Sequence, residues 1–379
     1  MLFSIEYNEV LNMFPSLENT TKTIFADMYS VLQSWFFVVI NVEFYTSFIG
    51  VPLLFFHLMI LSRKSMRTSS VMSILLTTAI CDLISMISAM FSRGLILNMD
   101  VDVQGCSLPN SLFANEAYYI LRSTRDNVIR CSTWLSVTMA LIRYLVLKLS
   151  TKLGSSRTIS SFSFGFWVFG GILAVSSVFS VLYWLRGKTV IGGEWVPGVS
   201  CVGLSSHEPQ PIYKSEVSDL FKAYNGMITK MYMMLNGTLS KILPCFLLPI
   251  LSALLIVELH RTRKSSSSCN KSAETHNNTE RTTGLVIFMT ISFFIPLLPT
   301  GIITCFVATH NDLGFFYIGT FIDHTCYMLM TINETVHCFV CFAMSSQYRK
   351  TVWGLLKVAR KRNHNSTVSN SLGKSSMSK

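Results

Sequence analysis

Charged residues are scarce in this chain. Asp, Glu, Lys and Arg make up 13% of its 379 residues, hydrophobic residues make up 50%, and the mean hydropathy is +0.45. Soluble globular domains carry roughly 25% charged residues, because their surface faces water. The composition therefore indicates a protein with several membrane-spanning segments.

Strict alternation of apolar and polar residues is also missing from the apolar segments, which argues against a transmembrane β-barrel. Seven windows reach the roughly 20 residues that a helical span needs. They are residues 35–61, 71–97, 118–148, 160–184, 230–259, 282–309 and 315–343. We expect an all-α fold, with a seven-transmembrane helix bundle over 35–343. An extracellular segment 1–34 precedes it, and a cytoplasmic amphipathic helix and tail, 344–379, follow.

Acidic residues are nearly absent from four of the connecting segments. Twenty of the 31 Lys and Arg residues lie in segments 62–70, 143–159, 258–283 and 343–379. The same segments contain only three acidic residues, Glu258, Glu274 and Glu280. Loops rich in Lys and Arg stay in the cytoplasm, so the N-terminus is predicted outside and the protein in the plasma membrane. This basic surface would face anionic lipid and acidic partners, and no nucleic-acid motif accompanies it.

The N-terminal segment lacks a continuous apolar run before Trp35. We therefore expect no cleavable signal peptide and a first span that acts as its own signal anchor. Asn19 begins the sequon Asn19-Thr20-Thr21, which lies on the outer side in this topology. It is a predicted glycosylation site.

Catalytic and transport signatures are missing as well. The chain has no HExxH or GxSxG motif, so neither metal nor serine hydrolysis is indicated and no cofactor or metal is expected. It shows no inverted repeat with matched broken helices, which disfavours a transporter or channel. That alternative stays open because Asp82, Asp323, Glu334, His337 and the third-span arginines could line a polar path.

Cysteines are rare outside the predicted spans. Of ten cysteines, Cys106 and Cys201 are the two in outer loops. We predict that they form a disulfide between the segment before the third span and the long second outer loop. The alternative is two free thiols.

The third span carries an unusual density of charge. Arg125 and Arg143 are 18 residues apart, roughly 27 Å along a helix, so each lies near one membrane face. Charges this deep must face protein or water. We predict a ligand site of mixed sign that suits a peptide with both charges, in which Arg125 sets affinity rather than folding. Its residues are Tyr119, Arg122, Arg125, Asp126, Asp323 and Tyr327. Alternatively, Arg122, Asp126 and Arg130 neutralise one another at i, i+4 spacing.

Four stretches together carry a family resemblance: LSRKSMRTSS, CSTWLSVTMALIRY, KILPCFLLP and NETVHCFVCFAMSSQYRKTV. They resemble the nematode serpentine receptor class W family, rhodopsin-like G-protein-coupled receptors related to FMRFamide-type peptide receptors. The likeness covers all seven spans. It implies an extracellular neuropeptide ligand, a heterotrimeric G protein and arrestin at the Ser/Thr-bearing tail. An environmental chemical remains the alternative ligand, whereas Arg125 at the usual helix-three aspartate position argues against a small amine.

The same resemblance suggests roles for residues at the inner end. Arg143, Tyr144 and Arg349 are the predicted G-protein contacts. Ile142 replaces the acid that normally restrains this arginine, and Glu280 is the candidate substitute.

A buried carboxylate lies near the midplane of the second span, at Asp82, where it is costly unless paired or bound to a cation. The resemblance places Ser132, Asn333 and Glu334 beside it, in the position of a sodium pocket, with His337 one turn below. Two nearby carboxylates cannot both stay charged without a cation or proton. We hypothesise a coupled proton or sodium site at Asp82, Glu334 and His337. Alternatively, Glu334 is satisfied by backbone and Asn333.

Overall fold

Seven long helices make up most of the part of the protein that the structure describes. The computed structural model describes residues 7–100, 108–149, 159–196, 209–266, 273–310, 312–344, 346–355 and 357. In chain order the helices are α1 (Tyr7–Asn12), α2 (Asn19–Leu61), α3 (Ser70–Asp100), α4 (Leu112–Leu149), α5 (Phe162–Arg186), α6 (Asp219–Lys222), α7 (Met227–Gly237), α8 (Leu243–Ser266), α9 (Ala273–Thr309) and α10 (Leu313–Met344). The first four spans are α2 to α5, the fifth joins α7 and α8, and the last two are α9 and α10.

Six of the seven spans found in the described part of the chain are long and apolar enough to cross a membrane. The third span, α4, is not among them, since its N-terminal half carries the charged residues noted above. It is nevertheless central, packing against α3, α5 and α8. Apolar side chains on the outside of the bundle are widely exposed, as at Trp167 of α5, which is 81% exposed. Such a surface suits contact with lipid.

The helix of the first span, α2, begins at Asn19, earlier than the window from residue 35 suggested. At 43 residues it is roughly 64 Å long, so it must project beyond a hydrocarbon core of about 30 Å. The extension is stable because Ala26 and Tyr29 pack into one cluster with Phe315 and other residues of α10. The N-terminal segment is therefore partly helical and packed on the seventh span, and Asn19 is exposed at the start of α2.

A π turn, Thr238–Ile242, interrupts the fifth span between α7 and α8. Pro244 follows it closely, and proline has no N–H to donate to the carbonyl four residues earlier, at Ser240. Pro249 lies inside the regular helix α8. Of the two prolines, Pro244 is thus the one beside the irregular turn. The turn also carries Lys241, whose side chain enters the bundle as described below.

The long segment after α5 contains a β-hairpin that the sequence patterns did not indicate. Strands β1 (Gly187–Trp195) and β2 (Gln210–Val217) pair antiparallel, with an irregularity between Ile191 and Gly193. The hairpin is attached to α4: Thr189 donates a hydrogen bond to Glu116 at 2.6 Å. A Cβ at Gly187 would meet the Tyr119 hydroxyl at 2.1 Å, so this close approach requires glycine. We call this end of the bundle the hairpin end.

Residues 346–355 have helical backbone, and Tyr348 and Val352 pack in a cluster with Ile60 and Leu61 of α2. The location of this segment on the inner membrane surface stays a prediction. Cys106 and Cys201 both lie outside the described residues, as does the tail beyond residue 357, so the disulfide is also still a prediction.

Candidate ligand cleft and interior polar sites

A narrow cleft at the hairpin end collects most of the predicted ligand residues. Arg122, Arg125, Asp126 and Tyr327 line it, together with Ser92, Arg93 and Tyr118. Its empty volume is about 260 Å³, which includes space open to solvent. Residues from the second, third and seventh spans therefore meet at one opening.

A fully buried carboxylate lies beside this cleft, at Glu43 of α2. Its Oε2 is 2.6 Å from Arg93 Nε, and its Oε1 is 2.5 Å from Arg125 Nη2. The Arg125 guanidinium also donates to Thr331 Oγ1 at 2.8 Å. These contacts tie the first, second, third and seventh spans together. Arg125 is 4% exposed, so it contacts the packed interior of the bundle as well as lining the cleft, and its effect on affinity stays a prediction.

Asp126 and Arg130 of the third span have hydrogen-bond partners on other helices. Tyr327 donates to Asp126 Oδ1 at 2.5 Å, and Arg130 donates to the Ser176 carbonyl at 3.0 Å. Among the ion pairs of the described residues, neither Arg122–Asp126 nor Asp126–Arg130 occurs. Asp126 is nevertheless within electrostatic range of Arg122, one turn away on the same helix, so the alternative of neutralisation along one helix stays a prediction.

Two predicted ligand residues lie outside the cleft lining. Tyr119 stacks on Tyr183 with ring centroids 5.0 Å apart, beneath the hairpin. Asp323 faces Lys241 of the π turn at 3.7 Å, and Lys241 donates to Thr304 at 3.0 Å. This second polar cluster joins the fifth, sixth and seventh spans.

The interior site brings together three of its five predicted residues directly. Ser132 donates to Asp82 Oδ1 at 2.9 Å, and His337 Nδ1 is 3.5 Å from Asp82 Oδ2. Glu334 accepts from Ser85 at 3.0 Å, and its Oε2 is buried without a hydrogen bond in the described structure.

The alternative interpretation of Glu334 was that the backbone and Asn333 supply its hydrogen bonds. The hydrogen bond that the described residues provide comes from Ser85 instead. The Asn333 Oδ1 atom is itself buried without a partner there. The second carboxylate is thus held by one hydroxyl, which leaves one oxygen to accept a proton or contact a cation.

At the opposite end, Arg143 has a buried Nη1 without a hydrogen bond among the described residues. Tyr144 accepts from Lys148 at 3.1 Å, and Arg349 donates to the Ala343 carbonyl at 2.6 Å. The side chain of Glu280 lies outside the described residues, so its predicted contact stays a prediction.

A histidine of the first span reaches the C-terminal segment at this end. His57 Nδ1 and the Tyr348 hydroxyl are 2.8 Å apart. The His57 and His337 rings are 5.7 Å apart between centroids, so polar side chains connect the interior site with the C-terminal segment.

Comparison with protein families decides the class. The model of the serpentine type 7TM GPCR chemoreceptor Srw matches residues 41–359, which is more than half of the chain. The chain belongs to the Srw family. A comparison with curated proteins found no match. The expected resemblance is thereby confirmed, and an Srw receptor is a non-enzymatic, multi-pass membrane protein with an extracellular ligand and G-protein coupling.

This Srw receptor contains functional candidates that sequence reasoning missed: Glu43, Arg93 and Lys241. A signal for them existed, because an ionisable residue within an apolar span is costly and usually marks a functional or structural contact. Glu43 is the one acid between Trp35 and Leu61. The partners of these three residues could not be deduced from the sequence, because each partner lies on another helix, far away along the chain.

Proposed function

We propose that this receptor binds an extracellular peptide of the FMRFamide-like neuropeptide kind in the cleft at the hairpin end. The observation that supports it is the mixed charge of the lining, where Arg93, Arg122 and Arg125 face one opening with Asp126. A peptide with an acidic group and a basic side chain has partners for both signs. In this arrangement the N-terminus and hairpin lie outside, and the receptor acts in the plasma membrane with its basic loops toward the inner lipid.

The opposite end then engages the heterotrimeric G protein. Arg143 supports this role, since Ile142 offers it no carboxylate and its Nη1 has no described partner. A guanidinium presents five rigidly arranged donors, which can bind backbone carbonyls of an inserted helix. Tyr144 and Arg349 extend the contact surface, and the Ser/Thr-bearing tail recruits arrestin after activation.

The test is a peptide-library screen in cells that express the full chain, with calcium and cyclic nucleotide as readouts. We expect a neuropeptide to evoke a response that Arg143→Ala abolishes while peptide binding persists. Arg63→Ala, an exposed arginine at the same end, is the matched control and should respond normally. An ion current that needs no G protein would contradict the proposal and favour the channel alternative.

A small environmental chemical is the second candidate ligand. The space that water-sized groups could occupy in the cleft is about 10 Å³, far below the roughly 300–1,000 Å³ of ordinary small-molecule pockets, so a ligand could enter this conformation with one group at most. The matched family is described as chemoreceptors. The same cells should therefore be challenged with a panel of small molecules. A response to one of these, without a response to any peptide, would replace the neuropeptide proposal.

A further inference from the structure

The charges around the cleft do not balance. Three arginines line it, Arg93, Arg122 and Arg125, against Asp126 in the lining and Glu43 behind it. Arginine remains protonated in proteins. Among the lining residues and Glu43, three positive charges face two negative ones; the next acid, Asp323, is also within electrostatic range of Arg122 but is paired with Lys241 at 3.7 Å.

Of the three arginines, Arg122 is the one that forms no ion pair with a carboxylate within the described structure. Arg93 and Arg125 each contact one oxygen of Glu43, at 2.6 and 2.5 Å. The hydrogen bond of Asp126 comes from the Tyr327 hydroxyl, although Asp126 is close enough to interact with Arg122 electrostatically.

Arg122 itself is poorly satisfied. Its hydrogen bond within the described structure runs from Nη1 to the Tyr118 hydroxyl at 3.5 Å, the long limit for such a contact. Its Nε is buried without a partner there. A guanidinium has five N–H donors, so most of the hydrogen-bonding capacity of Arg122 is available at the cleft.

We propose that Arg122 is the subsite for a carboxylate of the ligand. The inference rests on the proposed function in so far as a ligand enters the cleft at the hairpin end. A planar guanidinium matches a carboxylate in a bidentate geometry, and the Tyr118 hydroxyl beside it offers a further donor. Binding of one carboxylate would also cancel the excess charge, which is costly in a poorly hydrated bundle. In an FMRFamide-like peptide, whose C-terminus is an amide, the carboxylate belongs to an Asp or Glu side chain; in any other active peptide it belongs to such a side chain or to a free C-terminus.

The first experiment uses each active peptide of the library and its matched analogues on the full receptor in cells. In separate arms, the C-terminal acid is converted to an amide, Asp to Asn and Glu to Gln. In one of these arms, neutralising the carboxylate should weaken the potency of the peptide at least tenfold on the wild type and less than threefold on Arg122→Gln. Arg122→Gln should itself lose at least tenfold toward the parent peptide, because charge-assisted hydrogen bonds are lost.

Two further variants separate recognition from folding. Arg122→Lys keeps the charge without the planar fork, and it should retain part of the potency. Lys188→Gln removes a cation on the hairpin whose side chain is 55% exposed, and it should behave as wild type. If Arg122→Gln fails to reach the surface, Arg122→Lys and the peptide arms on the wild type still test the subsite. Equal potency of acid and neutral analogues on the wild type would overturn the proposal.

If no peptide activates the receptor, the neuropeptide proposal fails, and the subsite has an independent test. The purified full chain is unfolded thermally with N-acetylglycine or N-acetylglycinamide at the same concentration and ionic strength. The carboxylate should raise the Tm of the wild type above that with the amide, and Arg122→Gln should remove this difference. The same Tm with both compounds on the wild type, or an undiminished difference in the variant, would refute the carboxylate subsite.

Discussion

Neutralising Glu43 should destabilise this receptor more than neutralising either arginine that contacts it. Glu43 is completely buried, and its two oxygens contact Arg93 and Arg125 at 2.6 and 2.5 Å. Glu43→Gln keeps the shape of the side chain but leaves two arginines without their shared carboxylate. Arg93→Gln, by contrast, leaves Glu43 paired with Arg125.

The magnitude follows from the charges that remain. Removing one partner from a buried ion pair costs about 3–5 kcal/mol, since the other charge stays desolvated. Native proteins are stable by only about 5–15 kcal/mol, so Glu43→Gln should remove a large share of the free energy of unfolding. Arg93→Gln turns the three-residue cluster from a charge of +1 to neutral, and it should cost clearly less.

The assay is thermal unfolding of the purified full chain, together with its surface level in cells. Glu216→Gln is the control, because Glu216 is a partly exposed hairpin acid paired with Lys214 and Lys222. It should leave both measurements unchanged. If Glu43→Gln unfolds at the wild-type temperature while Arg93→Gln is destabilised, the charge-balance reasoning is wrong.

The same contacts change the expected phenotype of Arg125. The sequence alone suggested that Arg125→Ala weakens agonist potency and spares surface expression. Because Arg125 contacts Glu43 and donates to Thr331, its loss should lower surface expression as well as potency. If Arg125→Ala reaches the surface at the wild-type level and loses potency tenfold, Arg125 acts on affinity and not on folding.

Three further predictions concern other parts of the receptor. Cys106 and Cys201 should resist alkylation in the folded, unreduced receptor, and mapping that finds both thiols modified would exclude the disulfide. Glu334→Ser should flatten the dependence of agonist potency on sodium and on pH between about 6 and 8, because it removes the second carboxylate of the hypothesised proton or sodium site. The same flat dependence in wild type would rule out the coupled site. Tyr348→Phe removes the hydrogen bond to His57 and should lower the free energy of unfolding by about 1–3 kcal/mol, which thermal unfolding would measure; an unchanged Tm would show that the contact adds no stability.

The order of the spans and the receptor class could be predicted from the sequence alone. Hydropathy is local, so an apolar run identifies a span without knowledge of its neighbours. The motifs around Arg143 and His337 are local too, and they pointed to the correct family. Arg122, Arg125 and Asp126 were correctly expected on one region of one helix, because helical periodicity relates residues three and four apart. The start of α2 was harder, since apolar contacts with α10 extend it through a polar stretch.

Partners between helices depended on the tertiary structure. Glu43, Arg93 and Arg125 are separated by dozens of residues, and only the packing of α2 and α4 against α3 brings their charges together. The hairpin likewise needs a pairing between β1 and β2 across an intervening segment, and glycine at Gly187 is required by Tyr119 of another helix. Periodicity and hydropathy describe how each residue relates to its own helix and to the membrane. They do not say which of several charged side chains meet, because that choice depends on how the helices are rotated and how closely they pack.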